Sequence, residues 1–309
     1  MAVKIFSGSA TTYLAEKIAD AYGEPLGKVN YQHFSDGEMS PYISESVRGH
    51  DIFLVQSTFA PADNLLELML MIDAARRASA ENVNIIIPYF GYARQDRKDK
   101  PRVAIAAKLI ANLISAAGAD RIMTCDLHAD QIQGFFDIPV DHLDGNYIFV
   151  PYLKSLGLKN IMFASPDVGG IKRARSFAKF FNSDLAVCDK HRTEANKVES
   201  MRLIGEVEGK DVILVDDLVD TAGTICRAAA LLKDKGANSV RAVCTHPVLS
   251  GKAYENIENS ELEEMAVTDT IPLKGHSPKI KVLTVSDLFA KAIRKIHDHE
   301  SISSLFIRL

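Results

Sequence analysis

The sequence predicts an α/β fold made of two similar domains in tandem, each a mainly parallel sheet flanked by helices. Short apolar runs rich in β-branched residues alternate with helical stretches along the chain, a pattern typical of parallel sheets covered on both faces. The pattern also repeats, because stretches 51–87 and 211–244 each contain an acid-led apolar strand, a loop, a helix and a second strand. We therefore infer two related domains.

The elements of each half follow from this alternation. In the first half, strands and helices are expected at 3–6, 13–22, 51–55, 64–78, 83–88, 103–117 and 121–125. In the second half they are expected at 147–156, 160–164, 170–181, 184–188, 211–215, 225–235, 239–244 and 286–297. We place the boundary near Gly145, which gives domains 1–145 and 146–309, and we expect the last helix to pack back on the first half.

Composition is that of an ordinary globular chain. The 309 residues are 47% hydrophobic and 25% charged, as in soluble domains that bury their own cores. The net charge of −4 excludes the strongly basic surface of a non-specific nucleic-acid binder. No apolar stretch approaches the roughly 18 residues that a membrane span needs. We therefore expect no nucleic-acid or membrane partner.

Cysteine usage indicates the compartment. The four cysteines lie in apolar runs or a helix, without C-x-x-C pairs, and are Cys125, Cys188, Cys226 and Cys244. Such residues read as small core side chains in a reducing compartment. The amino-terminal MAVKIFSGSA has no sustained apolar segment, so it does not read as a secretory signal. We expect a cytoplasmic protein.

The most informative stretch is 211–224, DVILVDDLVDTAGT. The apolar run 212–215 is typical of a buried parallel strand, and Asp216 and Asp217 would follow at its carboxyl end. The small and hydroxylated run 220–224 precedes a helix, an arrangement that binds phosphate through backbone N–H groups. A sugar phosphate such as ribose 5-phosphate fits both features, although an acidic pair after a strand is also typical of a capped turn. The candidate ligands are Asp216, Asp217, Asp220, Thr221, Ala222, Gly223 and Thr224.

The corresponding loop of the first half, QSTFAPADN, lacks these features. Gln56 stands where the first acid would be, and Pro61 interrupts the run of small residues. We expect this loop to be structural or to serve a different ligand.

Two stretches resemble those of a known family. The run DLHADQIQGFFDIPVD, from Asp126, resembles the signature of ribose-phosphate pyrophosphokinases, also called phosphoribosyl pyrophosphate synthetases. Stretch 211–224 resembles the phosphoribosyl pyrophosphate loop that this family shares with phosphoribosyltransferases. The resemblance extends over essentially the whole chain. It implies phosphoribosyltransferase-like domains and the reaction of ATP with ribose 5-phosphate to give AMP and 5-phosphoribosyl 1-pyrophosphate.

The resemblance implies Mg²⁺ as cofactor, held with ATP by His128 and by Asp167 of SPDVGG. Water and nucleotide phosphates would complete the shell of so hard a cation. Without the resemblance, a lone histidine after a strand is typical of a hydrogen-bonded structural residue. Asp167 also reads as the N-cap of the following helix, and both roles are compatible.

The resemblance assigns ATP to two stretches, FSDGE and YFGYARQDR. The aromatic ring would stack on adenine and the acids would accept from its amine or from the ribose. Taken alone, SDGE is typical of a polar hairpin turn. The residues assigned to ATP are Phe34, Asp36, Gly37, Glu38, Arg94 and Gln95.

The segment CDKHRTEANKVES matches the flexible catalytic loop of the family. Lys190 and Arg192 would be the cations that close over the transferring group, and Arg192 would also contact ribose 5-phosphate. Taken alone, this polar segment reads as a solvated loop.

The resemblance also implies a homo-oligomer, typically a hexamer built from dimers, in which a neighbour completes each ATP site. Phosphate and ADP are usual effectors of the phosphate-dependent class.

A non-catalytic, synthetase-associated subunit is one alternative, but it should have lost the catalytic loop and metal residues. A phosphoribosyltransferase would share 216–224 without needing FSDGE, ARQ or DLHADQ, and a purine-repressor-like binder would need a DNA-reading module, which is not evident.

Overall fold

The computed structural model describes residues 2–191 and 200–306, and at residues 190, 191 and 200 only the backbone. The chain forms two compact units, one of Met1–Asp144 together with Val285–Phe306 and one containing Gly145–Thr284. Within the described residues, no helix combines the length and the apolar character needed to span a membrane. The four cysteines are free thiols, three of them buried.

The first unit is built on a five-stranded parallel sheet in the order β1-β4-β5-β6-β7, with a separate hairpin, β2-β3. Helices follow the strands in the alternation that the sequence predicted. The elements are β1 (Val3–Ser7), α1 (Thr12–Tyr22), β2 (Val29–His33), β3 (Met39–Ile43), β4 (Asp51–Val55), α2 (Asp63–Arg77), β5 (Asn82–Ile87), α3 (Ala106–Ala117), β6 (Arg121–Cys125) and β7 (Val140–Leu143).

The second unit is built on a seven-stranded sheet in the order β10-β9-β8-β11-β12-β13-β14. It is mixed because β10 runs antiparallel to β9, whereas the other neighbours are parallel. Its elements are α4 (Asn146–Ser155), β8 (Ile161–Ser165), α5 (Ile171–Phe180), β9 (Leu185–His191), β10 (Ser200–Ile204), β11 (Asp211–Val219), α6 (Gly223–Asp234), β12 (Ser239–Pro247), α7 (Ala253–Glu258), β13 (Glu264–Thr268) and β14 (Ile280–Leu283).

The last helix, α8 (Ser286–His297), follows the second unit in sequence but belongs to the first. It packs on α1, where the Arg294 guanidinium lies 4.7 Å from the centre of the Tyr22 ring and donates to Tyr22 O at 2.6 Å. His297 Nδ1 lies 2.9 Å from Asp51 Oδ2 at the start of β4. The helix is thus held at two points of the first unit.

The central strand β11 shows why its sequence is a continuous apolar run. Val212 and Leu214 pack in one core cluster, and Ile213 and Val215 in another. Successive side chains of a strand point to opposite faces, so both faces of this sheet are covered. Each such burial contributes about 1.5–3 kcal/mol. The prediction of α/β units with mainly parallel sheets flanked by helices is confirmed.

Candidate active site

The acidic pair lies within β11 rather than after it. The sequence predicted a strand ending at Val215, but β11 continues to Val219. Its pairing with β8 stops at Leu214, whereas its pairing with β12 continues as far as Val219. The long neighbour β12 therefore keeps the polar residues in the sheet. Asp216 and Asp217 lie in the part of β11 that runs beyond its pairing with β8.

Charge is concentrated around these two acids. The pKa of Asp216 is raised well above its usual range, first by burial and then by the negative charges of Asp217 and Asp167. Asp217 is buried, and its carboxylate lies 4.0 Å from Arg173 Nη2 on α5. Asp216 Oδ1 accepts from Asp217 N at 2.9 Å. Such a group of carboxylates suits hydrogen-bond donors such as sugar hydroxyls, or a cation.

The loop at 220–224 leads into α6, which starts at Gly223, two residues earlier than predicted. Ala222 precedes the helix with φ +61°, a left-handed conformation that costs a non-glycine residue roughly 1–2 kcal/mol. The N-cap residue, Ala222, makes no side-chain hydrogen bond to this helix start, and the first N–H groups of a helix are suited to binding an anion. The phosphate cradle that the sequence predicted at this helix start stays a prediction.

Asp167 supports the entry into α5. Its Oδ1 accepts from Gly170 N at 3.0 Å, and its carbonyl accepts from Ser165 Oγ at 2.5 Å. The negative charge of Asp167 also raises the pKa of Asp216. The carboxylate thus stabilises a turn and contributes to the negative group beside β11.

In the first unit, the run that starts at Asp126 follows β6 directly. Asp126 has φ +40°, which is a strained conformation for a residue other than glycine. Leu127 N donates to His142 Nε2 at 2.8 Å. Since Nε2 accepts here, a neutral His142 carries its proton on Nδ1. His142 thereby fixes the turn that presents the exposed His128.

His128 lies in the first unit and Asp167 in the second. Among residues 2–191 and 200–306, no group of three or more His, Cys, Asp and Glu side chains is arranged to hold a metal ion. A carboxylate is an ordinary ligand for Mg²⁺, whereas an imidazole is unusual for so hard a cation, so ATP phosphates and water would supply the remaining ligands.

Residues 34–38 form the tip of the β2–β3 hairpin, as the SDGE pattern indicated. Phe34 N donates to Glu38 O at 2.8 Å and Gly37 N to Phe34 O at 3.0 Å. Gly37 has φ +96°, which favours glycine. Phe34 is 50% exposed, and an exposed aromatic ring at a turn is available to stack on a base.

Arg94 and Gln95 lie in an exposed turn after β5. At Gly91 a Cβ would stand 2.0 Å from Thr58 O, so only glycine allows this approach. Gln95 O accepts from Ala107 N at 3.2 Å, and the adjacent Asp96 accepts from Gln131 Nε2 at 2.9 Å. The structure therefore links the ARQ stretch to the stretch that follows His128.

The corresponding loop of the first unit is occupied by its own side chains. Gln56 is fully buried, and its amide contacts Glu67 Oε1 at 3.0 Å and Asn64 O at 3.3 Å. Glu67 also accepts from Ser9 N at 2.6 Å and Ser9 Oγ at 2.8 Å. These bonds favour the structural one of the two roles expected for residues 56–64.

Comparison with known proteins settles the family. A family model described as the N-terminal domain of ribose phosphate pyrophosphokinase matches residues 3–118, and one described as a phosphoribosyl synthetase-associated domain matches residues 192–307. A ribose-phosphate pyrophosphokinase of Porphyromonas gingivalis is 56% identical over 98% of this chain and 97% of its own. One from Campylobacter jejuni is 57% identical over 98% and 99%. The chain belongs to the ribose-phosphate pyrophosphokinase family.

A solved structure supports this assignment. The crystal structure of phosphoribosylpyrophosphate synthetase from Mycobacterium smegmatis matches with a TM-score of 0.91 and 37% identity, covering 97% of this chain and all of that one. The resemblance seen in the sequence is therefore confirmed, and the chain is a kinase-type transferase that forms phosphoribosyl pyrophosphate. A phosphoribosyltransferase would not account for matches over both halves.

The residues expected in the pyrophosphokinase's catalytic loop are only partly described. The sequence placed Lys190 in a loop, but its backbone lies in β9, paired with Met201 of β10. The antiparallel pairing with β10 extends β9 to His191. Arg192 lies outside the described residues.

Sequence reasoning missed several residues that support these stretches. Arg173 follows SPDVGG in the first turns of α5, and this proximity was a usable signal. His142 and Gln131 act through contacts made across 15 and 35 positions of sequence. No local pattern identifies such contacts.

Proposed function

We propose that the chain transfers the β,γ-diphosphoryl group of Mg-ATP to the anomeric hydroxyl of ribose 5-phosphate. The first unit would bind ATP, and the second unit, which contains Gly145–Thr284, would bind the sugar phosphate. The observation that carries this proposal is the group of carboxylates at Asp216 and Asp217 on β11, the strand that leads into the start of α6. It offers acceptors for vicinal hydroxyls and N–H donors for a phosphate in one place.

The chemistry needs positioning and charge more than covalent catalysis. Asp216 and Asp217 would accept from the ribose hydroxyls, while loop 220–224 holds the 5-phosphate. The anomeric oxygen would attack the β-phosphorus in line, forming the new O–P bond as the bond to AMP breaks. Lys190, Arg192 and Arg94 would meet the charge that builds on the phosphoryl oxygens.

On the ATP side, Phe34 would stack on adenine, with Asp36, Gly37 and Glu38 around its amine and ribose. Gln95 would lie beside Arg94 on the linked ARQ stretch. His128 and Asp167 would hold Mg²⁺, which supplies neutralising charge to the ATP phosphates.

One assay tests the reaction as a whole. The protein is mixed with ATP, Mg²⁺ and ribose 5-phosphate, and the nucleotide product is resolved by chromatography. We expect AMP and phosphoribosyl pyrophosphate in equal amounts. Formation of ADP would contradict transfer of an intact diphosphoryl group. Repeating the assay with inorganic phosphate and with ADP tests both as effectors.

His128→Ala is expected to raise the Mg²⁺ concentration needed for half-maximal activity by about tenfold, because loss of one ligand weakens the metal site. Binding of ribose 5-phosphate without nucleotide should stay unchanged in calorimetry. His276→Ala, an exposed histidine of the second unit, is the control. An unaltered Mg²⁺ dependence would refute metal binding at His128.

We also propose a cytoplasmic homo-oligomer, built as a hexamer. Two helices of the first unit that pack against each other expose leucines one turn apart, Leu66 and Leu70 on α2 and Leu109 and Leu113 on α3. Exposed apolar pairs of this kind favour burial against another copy. Sedimentation of the purified protein tests the assembly.

A further inference from the structure

The loop expected to bind the sugar phosphate, residues 220–224, is hydrogen-bonded to a second segment of the same unit. This segment is residues 249–256, and we call it the supporting segment. It donates to three successive carbonyl oxygens of the loop, those of residues 219, 220 and 221. The bonds run from Leu249 N to Val219 O (3.1 Å), from Ser250 N to Asp220 O (2.9 Å) and from Asn256 Nδ2 to Thr221 O (2.9 Å).

These bonds decide which way the loop's N–H groups face. In a trans peptide, the C=O of one residue and the N–H of the next point in opposite directions. Since the carbonyls of 219–221 face the supporting segment, the N–H groups of residues 220–222 face away from it. A run of N–H groups on one side, with a left-handed residue such as Ala222, makes a concave anion site.

The supporting segment also orients the side chain of Asp220. Ser250 Oγ donates to Asp220 Oδ1. The carboxylate is thus fixed in one direction beside a loop expected to hold a phosphate, where a mobile negative charge would compete with the ligand. Ser250 therefore acts on both the backbone and the side chain of Asp220.

The supporting segment is itself rigidly placed. Ala253 and Ile257 of α7 are fully buried, in the core cluster that also contains Ala222 and Ile225. Asn256 O accepts from Cys226 Sγ on α6 at 3.5 Å. The amide of Asn256 thus reaches the loop from a helix anchored to the same core.

We propose that Ser250 and Asn256 are positioning residues that hold the loop's N–H groups toward the phosphate of ribose 5-phosphate. The inference rests on the proposed binding of that phosphate at residues 220–224. It adds to that proposal two residues outside the loop, with the kinetic effect expected of each.

Asn256→Asp is the most decisive test. It keeps the shape of the side chain but replaces the N–H donor to Thr221 O with a charged oxygen acceptor. We expect the KM and the calorimetric Kd for ribose 5-phosphate to rise by about tenfold or more, with the KM for ATP changed less than about twofold. Asn256→Ala and Ser250→Ala should raise the same constants by about three- to tenfold. Ser250→Thr keeps the hydroxyl and should restore nearly normal binding.

Asn259→Asp is the matched control, since it makes the same change at an exposed position three residues further along. Its constants should equal those of the unaltered protein. If Thr224→Val weakens ribose 5-phosphate binding but Asn256→Asp and Ser250→Ala do not, the positioning role is wrong and the loop assignment stands. If Thr224→Val has no effect either, both fail. Equal losses for both substrates that follow a lower Tm would also overturn the positioning role.

Discussion

Lys190→Ala is expected to lower kcat by roughly 10²–10³, equivalent to about 3–4 kcal/mol of transition-state stabilisation. Negative charge builds on the oxygens around the β-phosphorus as the bond to AMP breaks. A cation that meets this charge mainly in the transition state changes the rate more than it changes substrate affinity. Steady-state kinetics should therefore show a large loss in kcat, while the KM for ATP changes little.

The matched control for this variant is Lys281→Ala, an exposed lysine on β14 of the same unit. It removes the same charge from a strand and should leave kcat unaltered. Thermal unfolding of both variants separates catalysis from stability. A Lys190→Ala protein with normal kcat would end this assignment, as would an activity loss that follows unfolding.

Asp217→Asn is expected to raise the KM for ribose 5-phosphate by about 10- to 100-fold, with a much smaller change for ATP. Hydrogen bonds to a charged carboxylate contribute about 1.5–3 kcal/mol each, which corresponds to this range. Asp216→Asn should show the same selectivity for ribose 5-phosphate over ATP, because its carboxylate lies beside that of Asp217 on β11.

Asp211→Asn removes a carboxylate from the amino end of the same strand and serves as the control. Its KM for ribose 5-phosphate should stay normal, even if its Tm falls through lost bonds from Asn238 and Ser239. Equal effects of Asp217→Asn on both substrates, in a folded protein, would count against sugar binding.

The parts of the molecule that were predictable carry local signals. The apolar run 212–215 identified a strand buried on both faces, and the small residues after it preceded a helix as expected. The extension of β11 to Val219 was not predictable, because it depends on pairing with β12, a neighbour distant in sequence. The turn between β2 and β3 was predicted, but the strands beside it were missed, because β2 is short with no buried residue and Pro41 within β3 argues against a strand.

The residues that support the proposed site could not be predicted from the sequence either. Ser250 and Asn256 are polar residues in an ordinary loop and helix, and only the folded chain brings them to the carbonyls of 220 and 221. His142 similarly acts on Leu127 from a separate strand.

The placement of α8 has a consequence for synthesis on the ribosome. The described part of the second unit ends at Thr284, but the first unit lacks α8, with its contacts to Tyr22 and Asp51, until about His297 has emerged. At elongation rates of about 5–20 residues per second, the interval between Asp144 and that helix is on the order of 10–30 s. During this time the nascent first unit exposes the face of α1 that α8 later covers. Apolar surface on α1 therefore stays in water until the last helix is synthesised.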